Sequence, residues 1–496
     1  MTTDTEHVIY QSQGRCLIVG EEKAVEALLD LAGGVSGVSF HVLVTDEASP
    51  GLFGACAAIG WPLTQGRVVE LQGYLGRFHL RLESGERLGP FDLVVDLSQP
   101  PRITAEVPPF GYFVPGEDRR QTLEELPHWI GEFEKPKYFS YRRDLCAHGG
   151  PRYQGCRSCI EVCPAQAIVS VAERQIEVDP YLCQGCGDCT AVCPSGALSY
   201  RTVERQSLLE ALFAVLSRSP GATVLFHSQD GPSLDRFCRE GWIRQPLPTV
   251  AACGPEVWLA LIAAGAAGVR LQRQGLPSGS RKTLQGQMDW VNVLLAGLGY
   301  GSGRVAWLED DPQPVASKAV TAGRLAALPG KRDMLELALY HLILQADRPP
   351  DRIPLPSGAP LGSVEVDEER CTLCFACVGA CPVQALQTGS DGFQLRFVEQ
   401  NCLQCGRCAD VCPETAIRLQ PRLLTDHHER RQSRLLHQDP VFHCLECGKG
   451  FAGRKMIEAV LAKVAGHPLF TDARQKRRLL LCEDCRVRDL MRDHER

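Results

Sequence analysis

The sequence has no apolar run of the ~20 residues that a membrane-spanning helix needs; its longest, Val257 to Val269, falls well short. It has no basic start followed by an apolar core within Met1 to Gly14, the pattern of a secretory signal. Its two Arg-Arg pairs, Arg119-Arg120 and Arg142-Arg143, lie too deep to direct export. A cytoplasmic location without a membrane span is therefore the expectation. Signs of disorder are lacking too, because a hydrophobic share of 44% is ordinary for a folded chain. At 496 residues the chain is too long for one core and is expected to form three or more domains.

Cysteine is what the sequence has in excess: 24 residues, of which twenty fall in tight groups between Cys146 and Cys485. An even count in a short secreted chain reads as disulfides, but these groups sit in a long chain and have metal-ligand spacing. The formal charge of −6 counts each cysteine as neutral. Four thiolates around a cluster leave it anionic, so the true balance is more negative. It is also uneven, since residues 421–496 hold 16 Lys/Arg against 11 Asp/Glu. Such a basic tail is either a solvated surface or a docking face for an acidic partner.

One block contains Cys371-x2-Cys374-x2-Cys377-x3-Cys381-Pro382 and Cys402-x2-Cys405-x2-Cys408-x3-Cys412-Pro413. In this spacing three thiolates wrap one face of a cubane cluster, and the fourth, followed by Pro, serves the other cluster. The expected [4Fe-4S] ligand sets are Cys371, Cys374, Cys377 and Cys412, and Cys402, Cys405, Cys408 and Cys381. Tetrahedral zinc sites use pairs of cysteines, not a run of three plus one.

An earlier block carries one full motif, Cys183-x2-Cys186-x2-Cys189-x3-Cys193-Pro194, and an irregular mate, Cys156-x2-Cys159-x3-Cys163-Pro164. Tyr153 stands where the leading cysteine belongs, and Cys146 precedes a glycine-rich insertion able to loop the chain back. The expected sets are Cys146, Cys156, Cys159 and Cys193, and Cys183, Cys186, Cys189 and Cys163. His148 is a rival for the irregular corner, and a three-iron cluster is the other alternative. Both blocks resemble the bacterial-type two-cluster ferredoxin domain over about 120 of the 496 residues. The resemblance implies a small pseudo-twofold fold and two clusters close enough for fast electron exchange. Ile160, Val162, Val192, Phe375, Val378 and Val411 would be both core and the dry shell that sets potential.

The last four cysteines form two knuckles, Cys444-x2-Cys447 and Cys482-x2-Cys485, separated by a helical segment near Arg454 to Val464. Two pairs suit a tetrahedral site of four thiolates, and the second opens a helix, Arg486 to Arg492. A treble-clef-like zinc module is the preferred reading, with a fifth iron-sulfur cluster as the alternative. His443 and the basic run Arg474 to Arg478 imitate a DNA finger, but no other feature reads bases, so no nucleic acid is expected.

Elsewhere strands and helices alternate. Strands are expected at Cys16 to Gly20, Ser39 to Thr45, Gly66 to Leu71, Tyr74 to Leu82 and Phe91 to Leu97, with a helix at Glu21 to Ala32. A proline-rich stretch leads to a helical segment at Leu123 to Phe133, and Ala197 to Tyr200 reads as a strand. Then come helices at Gln206 to Leu216, Ser233 to Gly241, Pro255 to Ala264 and Arg281 to Leu298. Strands are expected at Ala222 to His227, Pro248 to Cys253, Gly268 to Gln272 and Arg304 to Glu309. This alternation implies parallel sheets covered on both faces. The expected organisation is multidomain α/β. A degenerate Rossmann-like domain (1–100) and a Pro-rich linker and helix (101–136) precede the first dicluster domain (137–200). A flavodoxin-like α/β domain (201–345), a second Pro-rich linker (346–363), the second dicluster domain (364–420) and the basic four-cysteine module (421–496) follow.

The stretches Gly66-Arg-Val-Val-Glu-Leu-Gln-Gly-Tyr-Leu-Gly-Arg-Phe78 and Phe91-Asp-Leu-Val-Val-Asp96 resemble the flavin-binding half of the heterodisulfide reductase A subunit. That family needs a Gly-x-Gly-x-x-Gly turn where this chain has Val19-Gly20-Glu21-Glu22-Lys23-Ala24, with one glycine and two carboxylates, so flavin is not expected. The glycine clusters at Gly33 to Gly37 and Gly297 to Gly303 follow helices and are turns. Thr249-Val-Ala-Ala-Cys-Gly254 and Glu256 to Val269 resemble the delta subunit of methyl-viologen-reducing hydrogenase. Cys238 and Cys253 are read there as packing residues. Together with Arg143-Asp-Leu-Cys146-Ala-His148, this run is also similar to a 4Fe-4S protein that accompanies bacterial formate dehydrogenases.

The leading expectation is a polyferredoxin holding four [4Fe-4S] clusters and a zinc site. It would relay single electrons to or from a dehydrogenase or reductase, with no substrate site of its own. The alternatives are an accessory factor for maturation of such an enzyme and, third, a flavin-dependent oxidoreductase.

Overall fold

The computed structural model describes residues 6–494 apart from 117, 150–154, 172–174, 230–240, 309–319, 390–391, 466, 468–469 and 471. The first unit is built on a five-stranded parallel sheet in the order Leu63–Gln65, Ser39–Val44, Arg15–Gly20, Leu93–Asp96, Tyr112–Phe113. Its central strand is apolar on both faces, and alternation sends successive side chains to opposite sides. Cys16 and Ile18 pack with Val25, Leu28 and Leu52 of helices Glu22–Ala32 and Pro50–Ile59. Leu17 and Val19 pack instead on a three-stranded antiparallel layer, Val68–Gln72, Phe78–Leu82 and Arg87–Phe91.

The helical segment expected at Leu123 to Phe133 is displaced toward the N-terminus. Helix Arg119–Glu125 starts at Asp118, whose carboxylate accepts from the N–H groups of Arg120 and Gln121, and a 3₁₀ turn follows at Leu126–Trp129. Gly131, at φ 129°, leaves helical space and opens strand Gly131–Pro136. This strand pairs antiparallel with His7–Ser12, a strand the sequence pattern did not reveal.

The middle unit holds a four-stranded parallel sheet in the order Trp242–Leu247, Thr223–Ser228, Gly268–Leu271, Val305–Trp307. Helix Pro255–Ala263 is buried at every position, and the longest apolar run, Val257 to Val269, is most of this core helix, a turn and the start of the buried strand Gly268–Leu271. It packs on helix Lys331–Gln345, whose buried Met334, Leu335, Ala338, Leu339 and Leu342 follow helical spacing. The strand expected at Pro248 to Cys253 is absent. The strand lies earlier, at Trp242–Leu247, and Val250–Ala252 is a 3₁₀ turn. That stretch is apolar because it backs onto the first cysteine block: Thr249 Oγ1 donates to the Cys186 carbonyl at 2.9 Å. A side chain at Gly187 would strike Ala251, Ala252 and Thr249. The helix expected at Ser233 to Gly241, with Cys238, lies outside the described residues.

Residues 346–363 hold their prolines in a packed strap. Ile353, Leu355, Ala359 and Leu361 enter the core of the middle unit beside Leu423, and Arg352–Pro354 pairs with Ile417–Leu424. Among the described residues no helix is long and apolar enough to cross a membrane.

Trp258 is fully buried and its indole N–H has no hydrogen-bond partner. Trp258→Ala is expected to cost about 3–5 kcal/mol. Trp258→Phe removes the unpaired donor along with the volume and is expected to cost under about 1.5 kcal/mol. Urea unfolding followed on the middle unit's transition separates the two.

Candidate metal centres

Each cysteine block folds as two turns of short helix and small antiparallel strand pairs. In the second block helices Ala376–Ala380 and Arg407–Asp410 follow the two Cys-x2-Cys-x2 loops, and Gly362–Val366 pairs with Ile417–Leu424. The loops curl because alternate residues take positive φ. Leu373 and Phe375 do so at 53° and 58°, and Gln404 and Gly406 at 53° and 82°. The first block places Gly185 and Gly187 at the equivalent positions, with φ of 72° and 86°. A second left-handed residue recurs three positions after the proline-linked cysteines, at Gln166, Gln384 and Thr415, with Gly196 in the fourth motif.

These turns aim backbone donors at sulfur. The N–H groups of Ala167, Ala385 and Ala416 point at Cys163, Cys381 and Cys412 Sγ at 3.3, 3.2 and 3.3 Å. Gln404 donates to Cys402 Sγ from its backbone at 3.5 Å and from Nε2 at 3.3 Å. The fourth motif differs, with Cys193 Sγ lying 3.7 Å from the Ser195 hydroxyl. N–H donors stabilise thiolate charge and are the usual surroundings of cluster sulfur.

Cys371, Cys374, Cys377 and Cys412 line one cavity, and Cys381, Cys402, Cys405 and Cys408 line another. In the first block Cys156 and Cys159 are pushed up in pKa first by burial and then by their neighbours Cys193 and Cys146. Cys186 is pushed up by burial and by Asp188, Cys189 and Cys163. Burial also takes Cys377 and Cys405 to about 12, with neighbouring thiols adding to it. Four such thiols lose their protons together only against a positive charge, which iron in a cluster supplies. Donor set, turn geometry and cavities therefore fit [4Fe-4S] clusters.

At the irregular corner Cys146 lies among Cys156, Cys159 and the raised Tyr141 hydroxyl. His148 is buried and both ring nitrogens are engaged, Nδ1 with the Cys156 carbonyl at 2.9 Å and Nε2 with Ser170 Oγ at 2.8 Å. Its backbone bridges to Gly155 across the insertion. Through these two contacts the histidine pins the loop.

The C-terminal four are arranged differently. Hairpin Val441–His443 and Gly450–Gly453 holds Cys444 and Cys447, and helix Glu483–His494 carries Cys485 in its first turn. The Sγ atoms of Cys444, Cys447, Cys482 and Cys485 all lie within 4.8 Å of one another, with those of Cys447 and Cys482 at 3.6 Å. Tetrahedral zinc with bonds of about 2.3 Å sets its sulfurs about 3.8 Å apart. A cubane carries its four thiolates on four separate irons and spreads them further. Burial raises the Cys444 thiol, but the N–H groups of Cys482, Cys447 and Glu446 outweigh it and bring it down to about 6. The geometry thus suits one cation.

Several charged residues around the cysteine sites have no motif signature. Lys135, buried and lowered to about 8 mainly by that burial, donates to the carbonyls of Tyr181 and Cys183 at 3.1 and 2.7 Å. Asp188, raised to about 6 by burial, accepts from Ser280 at 2.6 Å. Lys331 and Arg332 bond to carbonyls in both cysteine blocks.

In the N-terminal unit Gly20 abuts Leu97 Cβ, where a side chain would not fit. The N–H of Glu22, at the helix start where a pyrophosphate would sit, donates to Asp46 at 2.9 Å. The glycine serves packing and the helix terminus holds the chain's own carboxylate. Cys253 is a buried core residue.

No curated protein matches the chain. Models of the 4Fe-4S dicluster domain match residues 154–197 and 370–417. The first match begins after Cys146. The chain carries two 4Fe-4S dicluster ferredoxin domains, and its role is accordingly electron transfer.

Proposed function

We propose that the chain is a polyferredoxin that relays single electrons to or from a dehydrogenase or reductase, without a substrate site of its own. The observation that carries this is the pair of dicluster domains, whose cysteines, with Cys146, we read as four sets; cysteine-lined cavities and backbone donors on the sulfurs of Cys163, Cys381, Cys402 and Cys412 support it. The sets are Cys146, Cys156, Cys159 and Cys193; Cys163, Cys183, Cys186 and Cys189; Cys371, Cys374, Cys377 and Cys412; and Cys381, Cys402, Cys405 and Cys408. A bound [4Fe-4S] cluster supplies reversible one-electron chemistry. The protein's part is to hold thiolates, donate to them and keep water from them, as Leu373, Leu395 and Phe397 do in the second domain. The α/β units serve as packing and docking bodies, a reading supported by Asp46 at the first helix terminus. The resemblance noted for the Cys146 region makes formate dehydrogenase the first partner to test. The C-terminal cysteines hold one zinc ion in a treble-clef-like module that stabilises the tail.

Three outcomes are expected. Anaerobically purified protein should hold about sixteen irons and one zinc; about twenty irons without zinc would put a fifth cluster at Cys444. Cys146→Ala should lose about four irons or give the EPR signal of a three-iron cluster, whereas His148→Ala should keep its iron; full iron in the cysteine variant removes Cys146 from the set. Reduced protein should donate electrons to the partner during turnover. A partner that needs this chain during expression but not in the assay would make it a maturation factor instead.

A further inference from the structure

We infer that the two ferredoxin domains meet at a built junction, Gly155 against Asp410 and Arg407, that sets the Cys156 site beside the Cys405 site and joins four sites into one series. The inference rests on the four-cluster reading above and concerns how the chain's own residues position those sites.

Three observations carry it. First, the N–H of Gly155, the residue before Cys156, donates to Asp410 Oδ2 at 2.8 Å, a bond across 255 positions of sequence. Gly155 takes φ of 56°, and a side chain there would collide with Arg407, so the backbone approaches the second domain closely. Second, Cys156 and Cys405 line one and the same cavity, together with Gly155, Gln404 and Asp410. Third, two consecutive residues of the middle unit fasten both domains. Lys331 Nζ donates to the carbonyls of Thr190 and Ala191 at 2.6 and 2.9 Å, between Cys189 and Cys193. Arg332 donates to the carbonyls of Gln400 and Cys402 at 2.8 and 3.2 Å.

Within each domain the sites are already neighbours. Cys159 and Cys163, of different sets, lie on and just beyond the single turn Ser158–Glu161, and Cys377 and Cys381 stand likewise around Ala376–Ala380. The junction adds the missing link. The series then runs from the Cys183 site through the Cys156 and Cys405 sites to the Cys371 site. One end lies under Lys135 and Thr249, and the other faces Lys455 and Lys463 of the C-terminal module through Glu368 and Glu414. Each exchange along it is a one-electron step in which one site loses what the next gains; no bond or proton moves.

EPR of the full-length, dithionite-reduced protein tests the junction. The signals of the Cys156 and Cys405 sites are expected to split each other, and the double variant Cys156→Ala/Cys159→Ala, which removes the first of them, should abolish that splitting at the second. Asp410→Lys removes the acceptor of the Gly155 N–H from an exposed position and should narrow the splitting at unchanged iron content. A Cys405 signal that is the same in the native chain and the double variant, at about sixteen irons in the native protein, overturns the junction and leaves the electron-transfer reading standing. A native chain that never reaches about sixteen irons on reconstitution overturns the four-cluster reading and the junction with it.

Discussion

The arrangement of the chain depends on two adjacent cations at the start of one helix. The Lys331 ammonium is almost fully buried, a placement that costs several kcal/mol unless the charge is matched by partners. Its partners are two carbonyls of the first ferredoxin domain and the buried carboxylate of Glu256 at 3.5 Å, which also has Arg205 at 3.7 Å. Arg332 turns the other way, to carbonyls of the second domain, and is matched by Glu336 at 3.1 Å, which Arg430 also holds. Because the helix packs on the buried helix Pro255–Ala263, the two cations are fixed to the middle core. A unit with no metal motif of its own thereby becomes the frame that spaces the metal sites.

That frame explains what was legible in the sequence. The two dicluster domains were, because metal ligation demands particular residues at short separations. The parallel strands were legible where, as at Cys16 to Val19, apolar residues run without alternation. Edge strand Trp242–Leu247 was not, since only Leu247 is buried and arginine and glutamine interrupt it. Val250 to Cys253 mimicked a buried strand because it is buried by another domain. Lys331 and Arg332 look like any basic pair opening a helix, and Gly155 like any loop glycine. Their roles depend on partners more than a hundred positions away, which a single sequence does not encode locally. The helix Lys331–Gln345 carries a helical period at Met334, Leu335, Ala338, Leu339 and Leu342 that the reading of the sequence passed over.

The same electrostatic economy recurs at helix termini. Asp46 receives the N–H of Glu22, and Glu106 receives the N–H groups of Ser278 and Gly279 at 2.6 and 2.9 Å. Where a nucleotide-binding helix terminus turns free N–H groups toward phosphate, these termini are satisfied by carboxylates from neighbouring segments. Glu106 also brings the stretch after the first unit onto the middle unit, beside Cys163 and Pro164. An α/β architecture suited to anionic cofactors is here turned inward, and its dipoles hold the domains together.

The four cysteine sites share a backbone pattern but not an electrostatic one. The Cys402 site receives a side-chain amide donor from Gln404 and lies beside Arg332, so charge on its sulfurs is well compensated. The Cys183 site has the Lys135 ammonium on its carbonyl but also the buried Asp188 beside Cys186, which oppose each other. The Cys193 corner has a hydroxyl where the other three motifs have an N–H on the last sulfur. Donors and cations near sulfur favour the more negative, reduced state of a cluster, and anions disfavour it. Clusters bound at these sites would therefore hold electrons unequally, and the difference would reside in residues such as Gln404 and Asp188, at the unspecified positions of their Cys-x2-Cys runs, and Arg332, outside them.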